Sequence, residues 1–218
     1  MRCARPWDGH EARDLTTTPA ISPTVIGLAV GVVVGAGAGV VGWRWYARRQ
    51  ARRALIEAVT SGAVDFVQDV LVPDGNGGSY HVDFLLLTIR GVLVIDLRRD
   101  VTGNVFGGDQ MTEWTVMESA KRTTFPNPQS ALYDRVAAVK ALAHDVPVEG
   151  RIVFTQSAVF PKGMPQWTVR VDALAAEFPD VDRGTLEAAV QGFRPGWERA
   201  KGATAPSELH IPKPLGIS

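Results

Sequence analysis

Two strongly apolar, β-branched runs, residues 80–89 and 92–98, are separated only by Arg90-Gly91. Runs of this kind on either side of so short a break read as a β-hairpin. Further strands are expected at residues 64–72, 112–117, 151–154 and 169–171, with a glycine-rich loop or short strand at 102–108. Pro73-Asp74-Gly75-Asn76-Gly77-Gly78 is a turn cluster that lacks the Gly-Lys-Ser/Thr ending of a phosphate loop. Asn127-Pro128 opens a helix, since Asn suits the cap and Pro is tolerated at the first helical position. Leu132, Val136, Val139 and Leu142 give that helix an apolar face. Asp172 and Asp182 are positioned to cap two later helices, and from Ala203 the prolines mark a loose tail. The order of elements predicts an α/β (α+β) domain with a mixed central sheet flanked by helices.

Two acids interrupt the apolar hairpin, Asp83 and Asp96, and Arg98 follows the second. If the hairpin turns on Arg90-Gly91, Asp83 faces Arg98 and Leu85 faces Asp96. Alternation then brings Asp83, Asp96 and Arg98 out on one face, with the two acids as diagonal neighbours. Adjacent carboxylates need a counter-charge. Two readings stay open on residue types alone: a cross-strand Asp83–Arg98 ion pair, or a divalent cation shared by the two acids. Oxygen ligands with open positions suit Mg2+ or Mn2+, and such an ion can act on a phosphodiester.

Composition excludes several classes. The single cysteine, Cys3, rules out an internal disulfide framework, and the four scattered histidines give no structural zinc motif. Net charge is zero but uneven: up to Arg53 there are eight arginines and three acids, and from Ala54 onward 15 Lys+Arg against 20 Asp+Glu. A net negative domain opposes a polyanion unless its basic groups cluster locally. Lys121, Arg122 and Arg135 are the basic residues nearest the acids in sequence.

Residues 24–43 carry no charge and are followed by Arg44, Arg48, Arg49, Arg52 and Arg53, with Trp43, Trp45 and Tyr46 among them. About 20 such residues match the thickness of a bilayer core, so a transmembrane helix is expected at 23–46. The arginines would keep the C-terminal domain on the cytoplasmic side of the cell membrane, as a single-pass protein. A cleaved leader is the alternative, given the small residues Ala36-Gly37-Ala38. Gly27, Gly31, Gly35 and Gly39 form a small-xxx-small stripe that would suit a homodimer. The expected organisation is a tail at 1–22, the membrane helix at 23–46, a basic juxtamembrane helix at 47–63, the domain at 64–200 and a tail at 201–218.

The stretch Val82-Asp83-Phe84, Ile89-Arg90-Gly91-Val92, Val94-Ile95-Asp96-Leu97-Arg98 and Val101-Thr102-Gly103 resembles the nuclease-related domain (NERD) family. Trp114, Asn127-Pro128 and Gly150-Arg151-Ile152-Val153-Phe154-Thr155 continue the likeness in order, over about residues 54–178. The resemblance implies a restriction-endonuclease-like, PD-(D/E)xK fold and a Mg2+- or Mn2+-dependent DNA phosphodiesterase. It implies Asp83 and Asp96 as metal ligands with the Leu97 carbonyl as a third, and Asp83, Asp96 and Arg98 as the catalytic set. Lys121, Arg122 and Arg135 would hold nucleic acid. The chain departs from the family at Asp96, where a glutamate is expected, and at Arg98, where a lysine is expected. An arginine cannot serve as a base. The alternative function is therefore a non-catalytic membrane-tethered binding or scaffold module on the same fold, with a protein partner that the sequence does not specify.

Overall fold

The computed structural model describes residues 23–178 and 182–207, with side chains from residue 41 onward. The chain divides between Ala51 and Arg52 into two compact units. Helix α1 (Pro23–Thr60) supplies the described part of the first. There, one-turn neighbours pair along the helix: the Arg49 guanidinium lies 5.3 Å from the centre of the Trp45 ring, and Gln50 Nε2 donates to the Tyr46 hydroxyl at 2.7 Å.

Among the described residues no helix is long and apolar enough to cross a membrane. This overturns the expected span at residues 23–46, and with it the single-pass attachment and the cell-membrane localisation. Residues 23–46 are not a separate apolar rod. They belong to one 38-residue helix, and its described side chains include Arg44, Arg48, Arg49, Arg52, Arg53 and Glu57. The proposed dimer stripe of Gly27, Gly31, Gly35 and Gly39 falls on side chains outside the described residues, and no finding supports a homodimer.

The second unit is built on a mixed six-stranded sheet. Its first strands are β1 (Ala63–Pro73), β2 (Ser79–Thr88) and β3 (Gly91–Arg98). A smaller run follows, β4 (Gly103–Phe106), β5 (Glu113–Glu118) and β6 (Lys121–Pro126), then helix α2 (Pro128–Ala143). Next come β7 (Val148–Phe154), β8 (Ala158–Val159) and β9 (Thr168–Arg170). Helices α3 (Val171–Leu174), α4 (Arg183–Val190) and α5 (Arg194–Gly202) and strand β10 (Ala205–Pro206) complete the chain. The main sheet runs β10-β1-β2-β3-β7-β9, and a second sheet runs β6-β5-β4-β8. Strands β3, β7 and β9 are mutually parallel, while β10, β1, β2 and β3 pair antiparallel. The expected mixed central sheet with flanking helices is present.

Strand β3 lies at the centre and is covered on both faces. On one side, Leu85, Leu87, Val92, Val94, Ile152 and Phe154 pack with Leu132 and Val139 of α2 and Trp197 of α5. On the other, Phe84, Leu86, Leu93, Ile95 and Val153 pack with Val59 at the end of α1 and Leu174 of α3. Each such buried side chain contributes about 1.5–3 kcal/mol. The second sheet closes over the α2 side of the core through Trp114, whose ring stacks on Phe154 with centroids 6.3 Å apart.

Helix α2 starts as expected, with Asn127 Oδ1 accepting from the Gln129 amide at 2.9 Å and Pro128 in the first position. Asp182 caps α4 by accepting from the Thr185 amide at 3.1 Å. Asp172 does not cap α3, whose cap is Arg170. Instead Asp172 pairs with the Arg170 side chain at 2.8 Å. Strand β6 has no apolar alternation to announce it, and α5 follows no cap signal. Trp197 anchors α5, being fully buried and donating to Asp65 Oδ2 at 2.9 Å. In place of the loose tail expected from Ala203, Ala205 and Pro206 pair along β1.

The hairpin register differs from the expected one. Thr88 lies opposite Gly91 and Phe84 opposite Ile95, so Ile89-Arg90 form the loop and the pairing is offset by two residues. Thr88 explains the offset. Its hydroxyl donates to the Gly91 carbonyl at 2.9 Å and accepts from the Arg90 amide at 3.2 Å, closing the turn one residue earlier. Gly91 takes φ +112, and a Cβ there would overlap the Pro147 carbonyl oxygen. Both the backbone conformation and the close approach require glycine. Gly91→Ala is therefore expected to destabilise the domain by about 2–4 kcal/mol. The check is a lower urea midpoint at unchanged m-value; an unaltered midpoint would refute this account of the turn.

Candidate metal centre

Beyond an irregularity between Ala63 and Asp65, strands β1 and β2 keep one register through Gln68–Phe84 and on from Val70–Val82. Asp69 and Asp83 fall between these pairs. Asp69 has φ +52, a left-handed conformation unusual inside a strand. Val67 and Val70 both contribute to the α2-side core, as do Val82 and Leu85. Those spacings are three residues rather than two, so both strands change phase at this point. The β1–β2 register, with Leu71 opposite His81, gathers Asp69, His81 and Asp83, each half-buried, so that one ligand atom from each lies within 4.8 Å of the others. His81 Nε2 is 4.0 Å from Asp69 Oδ1. Two carboxylates and an imidazole form a donor set that could hold a divalent cation.

Asp83 is the most constrained of the three. Its Oδ2 accepts from the Leu97 amide at 2.8 Å. Burial pushes its carboxyl above the ordinary value of 3.8; the Leu97 hydrogen bond opposes that, and the nearby Asp96 charge adds to it. His81 and Arg99 nearby act the other way, and a cation beside the group would likewise favour its charged form.

Asp96 has different neighbours. It is only 5% exposed. Arg98 Nη2 donates to its Oδ2 at 2.8 Å and Arg135 Nη1 to the same oxygen at 2.9 Å. The expected Asp83–Arg98 pair is not made: with the register offset by two, Arg98 serves Asp96. Asp83 and Asp96 remain close enough to repel electrostatically, but Asp96 stands outside the Asp69/His81/Asp83 cluster. Leu97, expected to offer its carbonyl, meets Asp83 through its amide. Arg135, expected at a nucleic-acid surface, is a half-buried bridge whose Nε also donates to the His81 carbonyl at 2.6 Å. Lys121 and Arg122 sit exposed where β6 begins, and Lys121 and Arg98 line a common cavity of about 140 Å³.

Sequence reasoning missed Asp69 and His81. The signal for them was an acid inside the β-like run 64–72 and a histidine two residues before Asp83. Only the β1–β2 register joins them across the turn cluster.

Residues 44–155, just over half of the chain, match the family model of the nuclease-related domain. The chain belongs to the nuclease-related domain family. No curated protein and no solved structure matches it. In this NERD domain the two acids of the family resemblance sit at the C-terminal half of β3 and the facing part of β2, with the triad centred on Asp83.

Because the Asp83 carboxyl is raised, the folded chain holds that proton more tightly than the unfolded chain. Stability from this group is fully present below the ordinary 3.8 and is lost as pH rises through the elevated value. Asp83→Asn keeps an acceptor for the Leu97 amide and abolishes the loss. Its melting temperature should exceed that of the natural chain by about 2–4 °C near neutral pH, with the gap closing below about pH 4. A constant difference across that range would contradict the raised carboxyl.

Proposed function

We propose that this NERD-domain chain is a metal-dependent phosphodiesterase of nucleic acids whose divalent cation is held by Asp69, His81 and Asp83. The convergence of those three side chains carries the proposal. Mixed carboxylate and imidazole donors favour Mn2+ over Mg2+, which prefers an all-oxygen, octahedral shell. A cation there would supply Lewis acidity toward a phosphodiester oxygen. Asp83 positions the centre through its bond to Leu97, and Asp96 holds Arg98 and Arg135 beside it. Arg98 stabilises negative charge on the phosphoryl oxygens and does not act as a base. Lys121 and Arg122 give an otherwise acidic domain local cations for phosphates.

A second reading, a binding module without hydrolysis, draws on two observations. Asp96 is already neutralised by two guanidinium groups, and an arginine stands where the family resemblance expects a lysine.

Calorimetry on the full chain should show Mn2+ binding more tightly than Mg2+, with Asp83→Asn and His81→Ala each weakening it at least about tenfold. Cleavage of single-stranded or plasmid DNA should depend on Mn2+ and fall about 10³-fold in Asp83→Asn. Mn2+ binding without cleavage would select the binding module. No binding at millimolar Mn2+ would sink the metal centre.

A further inference from the structure

A cavity of about 440 Å³ lies between α2 and the outer edge of β7, lined by none of Asp69, His81, Asp83 or Asp96. Its volume is in the range that small-molecule sites occupy. We propose that it binds a flat, neutral heteroaromatic ring of the nucleobase class.

Four features carry this. First, Tyr133 and Trp167 meet edge to face at the rim, with centroids 4.7 Å apart and planes at 76°. Two perpendicular rings offer a third ring one face to stack on and one edge to abut. Tyr133 is 54% exposed, so an aromatic surface stands open to solvent. Second, Trp167 is held there at φ +56, a left-handed conformation that costs a bulky side chain energy. Its carbonyl accepts from the Ile152 amide at 2.8 Å, which fixes the backbone at the cavity wall.

Third, the floor is apolar and closed. Leu132, Val136 and Val148 line it, and a Cβ on Gly150 would come within 2.7 Å of Val136, so helix and strand are in direct contact beneath. β9 pairs with β7 only at Ile152–Phe154. The Ile152 amide points to that edge, so by the two-residue alternation Gly150 turns its backbone the same way. Its carbonyl accepts from Arg151 Nη1 at 2.9 Å, and its N–H faces the same side, as a donor for the polar edge of a base. Buried Gln129 stiffens the far wall, donating to Asp109 at 2.7 Å and to the Gln166 carbonyl at 2.9 Å.

Fourth, the charges are already matched. Arg90 binds both oxygens of Glu149 at 2.8 Å, and Arg151 pairs with Glu149 at 3.2 Å and Glu177 at 2.9 Å. Two guanidinium groups against two carboxylates give a phosphate nothing to gain, so recognition falls on the ring.

The test uses the full chain with adenosine, cytidine and uridine in calorimetry, beside their 5′-monophosphates and a short single-stranded oligonucleotide. At least one nucleoside should bind saturably, and its monophosphate should match it within about threefold. Tyr133→Ala should weaken binding at least about tenfold and Tyr133→Phe should restore it, with the fold retained in both because the residue is 54% exposed. Asp83→Asn should leave it intact, which separates this site from the metal centre. A free nucleoside and a base within a strand share this chemistry. Equal affinity for nucleoside and oligonucleotide would support a free nucleoside, and a tenfold gain with the oligonucleotide, lost in Tyr133→Ala, a strand. The proposal is overturned if no nucleoside binds at millimolar concentration, if Tyr133→Ala binds as the natural chain does, or if Asp83→Asn abolishes binding.

Discussion

A carboxylate buried at the C-terminal end of a strand covered on both faces must be neutralised, and the region around Asp96 is organised by that requirement. Removing one partner from such a buried pair costs about 3–5 kcal/mol. Here two arginines share the task. Arg98 comes from the same strand, two residues on, while Arg135 reaches down from α2. Arg135 also grips the His81 carbonyl. One guanidinium therefore ties the helix to β3 and to β2 at once, and sets the depth at which His81 stands. Arg98 Nε remains buried without an acceptor, which marks the ion cluster as a place where optimum stability was not reached.

The neighbouring triad follows a different logic. His81 lies opposite Leu71, two residues from Asp69, so alternation already sets Asp69 and His81 on one face. The backbone is left-handed at Asp69, where Asp83 joins the other two. Strain, burial and mutual repulsion of acids all act against folding at this point. Sites that oppose stability in this way are where function is expected to reside. Asp96 is held by two arginines, while Asp83 keeps one carboxylate oxygen free of the Leu97 bond.

Much of the architecture was legible in local sequence. Alternation and β-branching marked the central strands, Asn127-Pro128 marked α2, and the Arg90-Gly91 pair placed the hairpin loop to within a residue. Strand β6 and helix α5 were not legible. The first is a run of polar and β-branched residues without apolar alternation, and the second depends on one buried tryptophan and its Asp65 partner. The uncharged stretch at residues 24–43 read as a membrane span, yet no described helix is long and apolar enough to cross a membrane.

By itself the sequence determined the family, the mixed sheet and the presence of acids on its central hairpin, because these depend on residue types at short spacing. Tertiary structure alone decided which groups those acids meet. Register is set by side chains such as Thr88 and by glycine at Gly91, and a two-residue offset changes the partner of every cross-strand residue without altering the pattern of apolar and polar positions. Asp83 exchanged Arg98 for Leu97, and gained Asp69 and His81, through contacts that no local spacing encodes.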